Sequence, residues 1–200
     1  MTAAAQRKYD PVTRWLHAGL ATGVVIELLL QTVMRVPPGV GLGVDDWHRE
    51  AFELHSHFGP TVALLCLLHW LWTCLPWARP GVGYLFPWLR AGQRPVLQRE
   101  FRALLRFELS PDEALSPLAG TVQGLGLLAV TGSVVGGTVS YLGYYTRVPV
   151  PNTVLHWASL ELIVTSWFVW PFVIGHASMA ILHRIAFRGA LIGRTDREGR

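Results

Sequence analysis

Single histidines stand at the ends of long apolar stretches in this chain: His17 opens the first, His55 opens the second, and His156, His176 and His183 bracket the last. An ionisable imidazole is costly in lipid, and its recurrence there marks a cofactor or a pathway. Imidazole is a common axial ligand of haem iron, so these residues are read as candidate haem ligands. Two acids accompany them, Glu27 within the first stretch and Glu161 at the start of the last. A carboxyl group in such a place can take or release protons during quinol chemistry, or form a structural hydrogen bond to a neighbouring helix.

The elements that must carry these groups follow from composition. Of 200 residues, 51% are hydrophobic and only 15% charged, which lies outside the range of ordinary soluble domains. A membrane-spanning helix needs about 20 mainly apolar residues. Four segments qualify: about Trp15 to Val33, Phe58 to Trp77, Leu118 to Leu142 and Ser159 to Ile185. The expected fold is all-α, an integral membrane four-helix bundle in which residues 1–200 form a single domain. The first stretch contains Glu27 and lacks a small-residue cleavage pattern before Arg35, so it is read as a retained span and not a signal peptide.

Cys66 and Cys74 both fall in the second apolar stretch, and no CxxCH occurs. That argues against covalent c-type haem and against a disulfide framework. Both thiols are read as small apolar side chains.

Basic residues orient the bundle. They cluster before span one, between spans two and three, and after span four, leaving only Arg35, Arg49 and Arg147 of the 17 for the other side. The positive-inside rule then puts both termini in the cytoplasm. The net charge of +4 is accounted for by topology, and no nucleic-acid partner is expected.

Between spans one and two, Pro37, Pro38, Asp45, Asp46, Glu50 and Glu53 suggest an acidic periplasmic connection ending in a short helix around Trp47 to Glu53. The connection over 78–117 is the longest. Within it Leu97, Phe101, Leu104, Leu105 and Leu109 recur at helical spacing opposite Arg99, Arg102 and Arg106. This predicts an amphipathic helix over about 97–109 lying in the headgroups, or serving as a docking surface for a cytoplasmic partner. Span three carries Gly120 with Gly124 and Gly132 with Gly136, spacings that let backbones approach closely in lipid. Pro171 should kink span four.

In this topology His17, His176 and His183 lie toward the cytoplasmic side. The last two are seven apart, a rotation of about 700°, so they share a face and either can meet His17 across a haem. His55, His57 and His156 lie at the periplasmic edge. His55 and His57 point about 160° apart, so only one can face a given neighbour. His69 follows His55 by fourteen residues on nearly the same face, about 21 Å along the axis, and competes for the cytoplasmic haem. For His48, His57 and His183, bonding to headgroups or backbone is the plainer reading.

The run Thr13-Arg14-Trp15-Leu16-His17 resembles the arginine-x-x-histidine opening of the bacterial cytochrome b561 and nickel–iron hydrogenase b-type cytochrome superfamily. His55-Ser56-His57-Phe58-Gly59 matches its histidine-x-x-x-glycine at the head of span two. Ile174-Gly175-His176-Ala177, followed by His183 and Arg188, is similar to the inner half of its fourth span. The resemblance implies a four-helix cytochrome of the bacterial inner membrane, with two haem b groups expected and one as the alternative. His17 and His176 would hold the cytoplasmic haem, with His55, joined by His156, holding the periplasmic one. The family usually places its two span-four ligands fourteen apart, yet fourteen before His176 stands Leu162. In addition, His69 stands where relatives often carry arginine.

The expected function is electron transfer between membrane quinone and a partner redox protein, as the anchor subunit of a larger oxidoreductase. Bis-histidine ligation leaves no open iron position, which suits electron transfer better than oxygen chemistry. One alternative is a stand-alone oxidoreductase passing electrons from superoxide or another small donor to quinone. Another is a structural subunit that has lost one or both haems. A transporter ranks lower, because no inverted repeat or pair of broken helices is evident.

Overall fold

A computed structural model describes residues 9–34, 46–106, 108, 116–146 and 148–198, with side chains described to Leu182. The first helix, α1, spans Pro11–Val33. It starts earlier than the apolar run because Asp10 caps it: the carboxylate accepts from the Thr13 N–H at 2.8 Å, and Pro11 fills the first turn, where no N–H is needed.

The next helix, α2, covers Asp46–Thr73 as one 28-residue element. The expected short helix and second span are therefore continuous. No glycine or proline interrupts residues 46–58, and Asp46 in the first turn complements the helix dipole. Pro60 is accommodated within the helix, which ends four residues short of the expected Trp77.

A folded connection follows, consisting of α3 (Val82–Leu85), two 3-10 turns (Pro87–Leu89 and Ala91–Gln93) and α4 (Arg94–Leu105). The start of α4 precedes the expected residue 97 because Pro95 suits a first turn. Residues 107 and 109 of the expected amphipathic helix lie outside the described residues. The long helices α5 (Pro117–Tyr145) and α6 (Asn152–Glu198) complete the chain. Ser116 caps α5 through the Ala119 N–H, and the backbone of α6 continues through Pro171.

Among the described residues, three segments are long and apolar enough to cross a membrane: Pro11–Val33, Pro117–Tyr145 and Asn152–Leu182. The remaining long helix, α2, has the length, but its charged first half and its histidines at 55, 57 and 69 dilute its apolar character. Many large apolar side chains are exposed, among them Trp15, Leu64, Leu71, Trp157, Trp167 and Phe168. That is the surface of a protein whose solvent is lipid.

Each long helix packs on its neighbour: α1 lies along α2, α2 meets α5, and α5 lies along α6. Leu20, Val24 and Leu28 of α1 share a core with Val62 and Cys66 of α2, Leu127 and Val130 of α5 and Val169 of α6. Lipid tails are as apolar as leucine, so close approach rather than water exclusion holds such helices together.

Glycines set that approach, and the two spacings on α5 do different work. A Cβ at Gly132 or Gly136 would overlap the Glu161 carboxylate of α6. A Cβ at Gly120 or Gly124 would instead overlap the Tyr84 or Leu85 carbonyl of α3. One pair admits a neighbouring long helix; the other admits the folded connection.

Candidate functional site

At the end of the bundle where α1 begins, His17 of α1 and His176 of α6 face one another with ring centroids 6.0 Å apart and planes at 76°. The second half of α6 runs back toward the start of α1, which brings together residues that the sequence separates by most of its length. An imidazole nitrogen sits about 2 Å from a bound metal and about 1 Å from its own ring centre, so two rings on opposite sides of one iron have centroids about 6 Å apart. The observed separation fits that requirement. Phe172, one turn before His176, stacks on its ring at 5.4 Å and 14° and limits its rotation.

His69 approaches from α2 and lies within electrostatic reach of His17. The Thr73 hydroxyl donates its single proton to the His69 carbonyl at 2.7 Å. Its 3.2 Å contact with His69 Nδ1 is therefore one in which Nδ1–H donates to the hydroxyl. The other nitrogen, Nε2, is left with its lone pair. The three histidines thus converge at one end, although only His17 and His176 meet ring to ring.

A cavity of about 670 Å³ adjoins them, lined by His17 and His69 together with Arg14, Trp15, Thr73 and Gln123, among others. Such a volume is ordinary for a cofactor or small-molecule site. Its rim is tied by Asp10, whose carboxylate accepts from Thr13 Oγ1 at 2.7 Å, the Arg79 N–H at 2.9 Å and the Trp72 indole at 3.2 Å. Burial alone would raise the Asp10 carboxyl, but these hydrogen bonds outweigh it and hold the group at about 2. Across the cavity the Gln123 amide donates to the Tyr9 hydroxyl at 3.1 Å, which lies 3.4 Å from the Tyr84 hydroxyl. Burial, with Tyr9 beside it, pushes the Tyr84 phenol upward.

None of these rim residues is among the candidate ligands or proton carriers that the sequence offers. The Asp10-Pro11-x-Thr13 pattern is a legible helix start; its bonds to Trp72 and Arg79 have no local signal.

At the opposite end the structure brings Glu27 and His55 together. His55 Nδ1 of α2 lies in direct contact with Glu27 Oε2 of α1, with side-chain exposures of 33% and 13%. His57 points away, and its Nδ1–H donates to the Glu53 carbonyl at 2.6 Å. The structure thus identifies His55 as the member of the pair that faces α1.

His156 is exposed on α6, its ring against Trp157 at 5.9 Å. Among the described residues no ring contact joins it to His55. Glu161 occupies the glycine cradle of α5. Leu162 also packs toward α5, its Cβ 3.1 Å from where a Cβ on Gly136 would lie. The side chain of His183 lies outside the described residues.

A family model described as prokaryotic cytochrome b561 matches residues 8–194. No curated protein and no solved structure matches the chain.

Proposed function

The chain belongs to the prokaryotic cytochrome b561 family, and on that premise we propose that it carries electrons between the membrane quinone pool and a partner redox protein, as the anchor subunit of a larger oxidoreductase. A b-type cytochrome of membrane electron transfer is what the family supplies; the quinone, the partner and the ligand assignments are our reading. The observation that carries it is the 6.0 Å apposition of His17 and His176. His17 and His176 would hold one haem b through their imidazoles. Haem bound there supplies one-electron redox chemistry.

The surrounding residues bind and orient. Arg14 and Trp15 border the cavity beside His17, Phe172 restrains His176, and Thr73 holds His69 in the tautomer that presents Nε2. At the other end His55, joined by His156, would hold a second haem. Glu27 and Glu161 are the carboxyl groups available to quinol proton chemistry. In this reading α2 is the fourth span, residues 1–200 form one domain of the bacterial inner membrane, and both termini face the cytoplasm.

A one-haem version is favoured by a specific observation: His156 contacts Trp157 and not His55. The test is a pyridine haemochrome assay on purified, quantified protein. Two haems per chain are expected, falling to one in H17A and in H176A; one haem per wild-type chain, lost in those variants, selects the one-haem version. Wild-type protein without haem refutes the cytochrome reading.

A further inference from the structure

We propose that Glu27 is a positioning residue for His55: its carboxylate accepts from Nδ1–H, fixing the ring and leaving Nε2 as the nitrogen presented to iron. The proposal rests on the reading of His55 as a haem ligand. Three observations carry it. First, Glu27 lies in the apolar part of α1 with only 13% of its side chain exposed, where a carboxyl group needs a polar partner. Second, the polar group in contact with it is His55 Nδ1, and among the described residues neither atom has another hydrogen-bond partner, while Arg49 of α2 pairs with Asp46 at 2.9 Å. Third, His57 has its Nδ1 bound to its own helix at Glu53, so of the two neighbouring histidines only His55 is oriented from another helix.

A carboxylate on the far nitrogen of a ligating imidazole sets its tautomer and orientation and makes it a stronger donor. A stronger donor stabilises the ferric form and lowers the reduction potential. Replacing the anion by an amide of the same shape should therefore raise the potential of the haem held by His55 and leave the other unchanged.

The experiment is an optical redox titration of the purified full chain with haem bound, alongside haem counts, for wild type, E27Q, E27D and H55A. E27Q is expected to keep its haem count while one midpoint potential moves upward, and E27D, which keeps the carboxylate but withdraws it from the ring, is expected to move the same potential upward by less. If H55A loses a haem while E27Q titrates as wild type, the positioning role is overturned and the ligand assignment stands. If H55A keeps the wild-type haem count and spectrum, the ligand assignment itself fails, and the proposal with it. Should E27Q not accumulate, E27D carries the test alone: withdrawing the carboxylate by one methylene should give a smaller upward shift, and no shift overturns the proposal.

Discussion

Asp10 ties together the start of α1, the end of α2 and the segment that follows, and its replacement has a calculable cost. The carboxyl is held at about 2 against an ordinary 3.8, which at about 1.4 kcal/mol per unit is roughly 2.5 kcal/mol before screening. Asp10 is only partly buried, so solvent reduces that to about 1 kcal/mol. D10N keeps a side chain that caps a helix equally well and should lose only this charge-dependent part. D10A also loses the cap, worth about 1 kcal/mol. The freed donors add little: the Trp72 indole retains Thr13 Oγ1 at 3.1 Å, and the Arg79 N–H is on an exposed bond that water can replace. The totals are about 1 kcal/mol for D10N and about 2 kcal/mol for D10A, the latter up to about 30-fold in the unfolding equilibrium. Because the folded pKa is depressed, this stability is present above pH 3.8 and lost as the pH falls toward 2. Unfolding of the protein in detergent micelles, followed by circular dichroism at neutral and acid pH, measures both differences. Equal stabilities for D10A and D10N at pH 7, or a gap between wild type and D10N that persists unchanged at pH 2, would refute the reasoning.

Three further outcomes are expected. H69A should keep the haem that H17A and H176A each lose, and a haemochrome assay showing loss in H69A would move His69 from the cavity wall to the iron. G132A should destabilise the pairing of α5 and α6 by about 1–3 kcal/mol, and E161A should relieve part of that cost, because the new methyl overlaps the Glu161 carboxylate; additive effects in a thermal-unfolding double-mutant cycle would contradict the contact. T131V strands the Trp70 indole N–H, which donates to Thr131 Oγ1 at 2.9 Å, at about 1–3 kcal/mol. In the same unfolding assay, T131V should cost less when W70F has already removed that donor.

What the sequence revealed and what it withheld divide along a physical line. The apolar runs placed the long helices because their length and composition are local properties, and the Asp10-Pro11-x-Thr13 start is likewise local. The placement of His17, His69 and His176 at one end is legible from residue counts along antiparallel helices. The union of Glu27 with His55 was not, because it depends on how α1 is rotated against α2, which side-chain packing sets and helical periodicity does not. The two glycine spacings of α5 look identical as text, yet one receives α6 and the other the carbonyls of α3. Only the path of the connection after α2 distinguishes them. The charged run reads as a separate short helix over Trp47 to Glu53, whereas the structure joins it to α2, because nothing in residues 46–58 interrupts the backbone.

The seating of the Tyr84 and Leu85 carbonyls at Gly120 and Gly124 also has a genetic consequence. Every single-base change in a glycine codon that alters the amino acid introduces at least a Cβ, and here a Cβ meets backbone that has no rotamer with which to yield. These two codons therefore have no mild neighbours. A library of point variants should show positions 120 and 124 as all-or-none, while a glycine at open space such as Gly92 accepts a graded series of replacements.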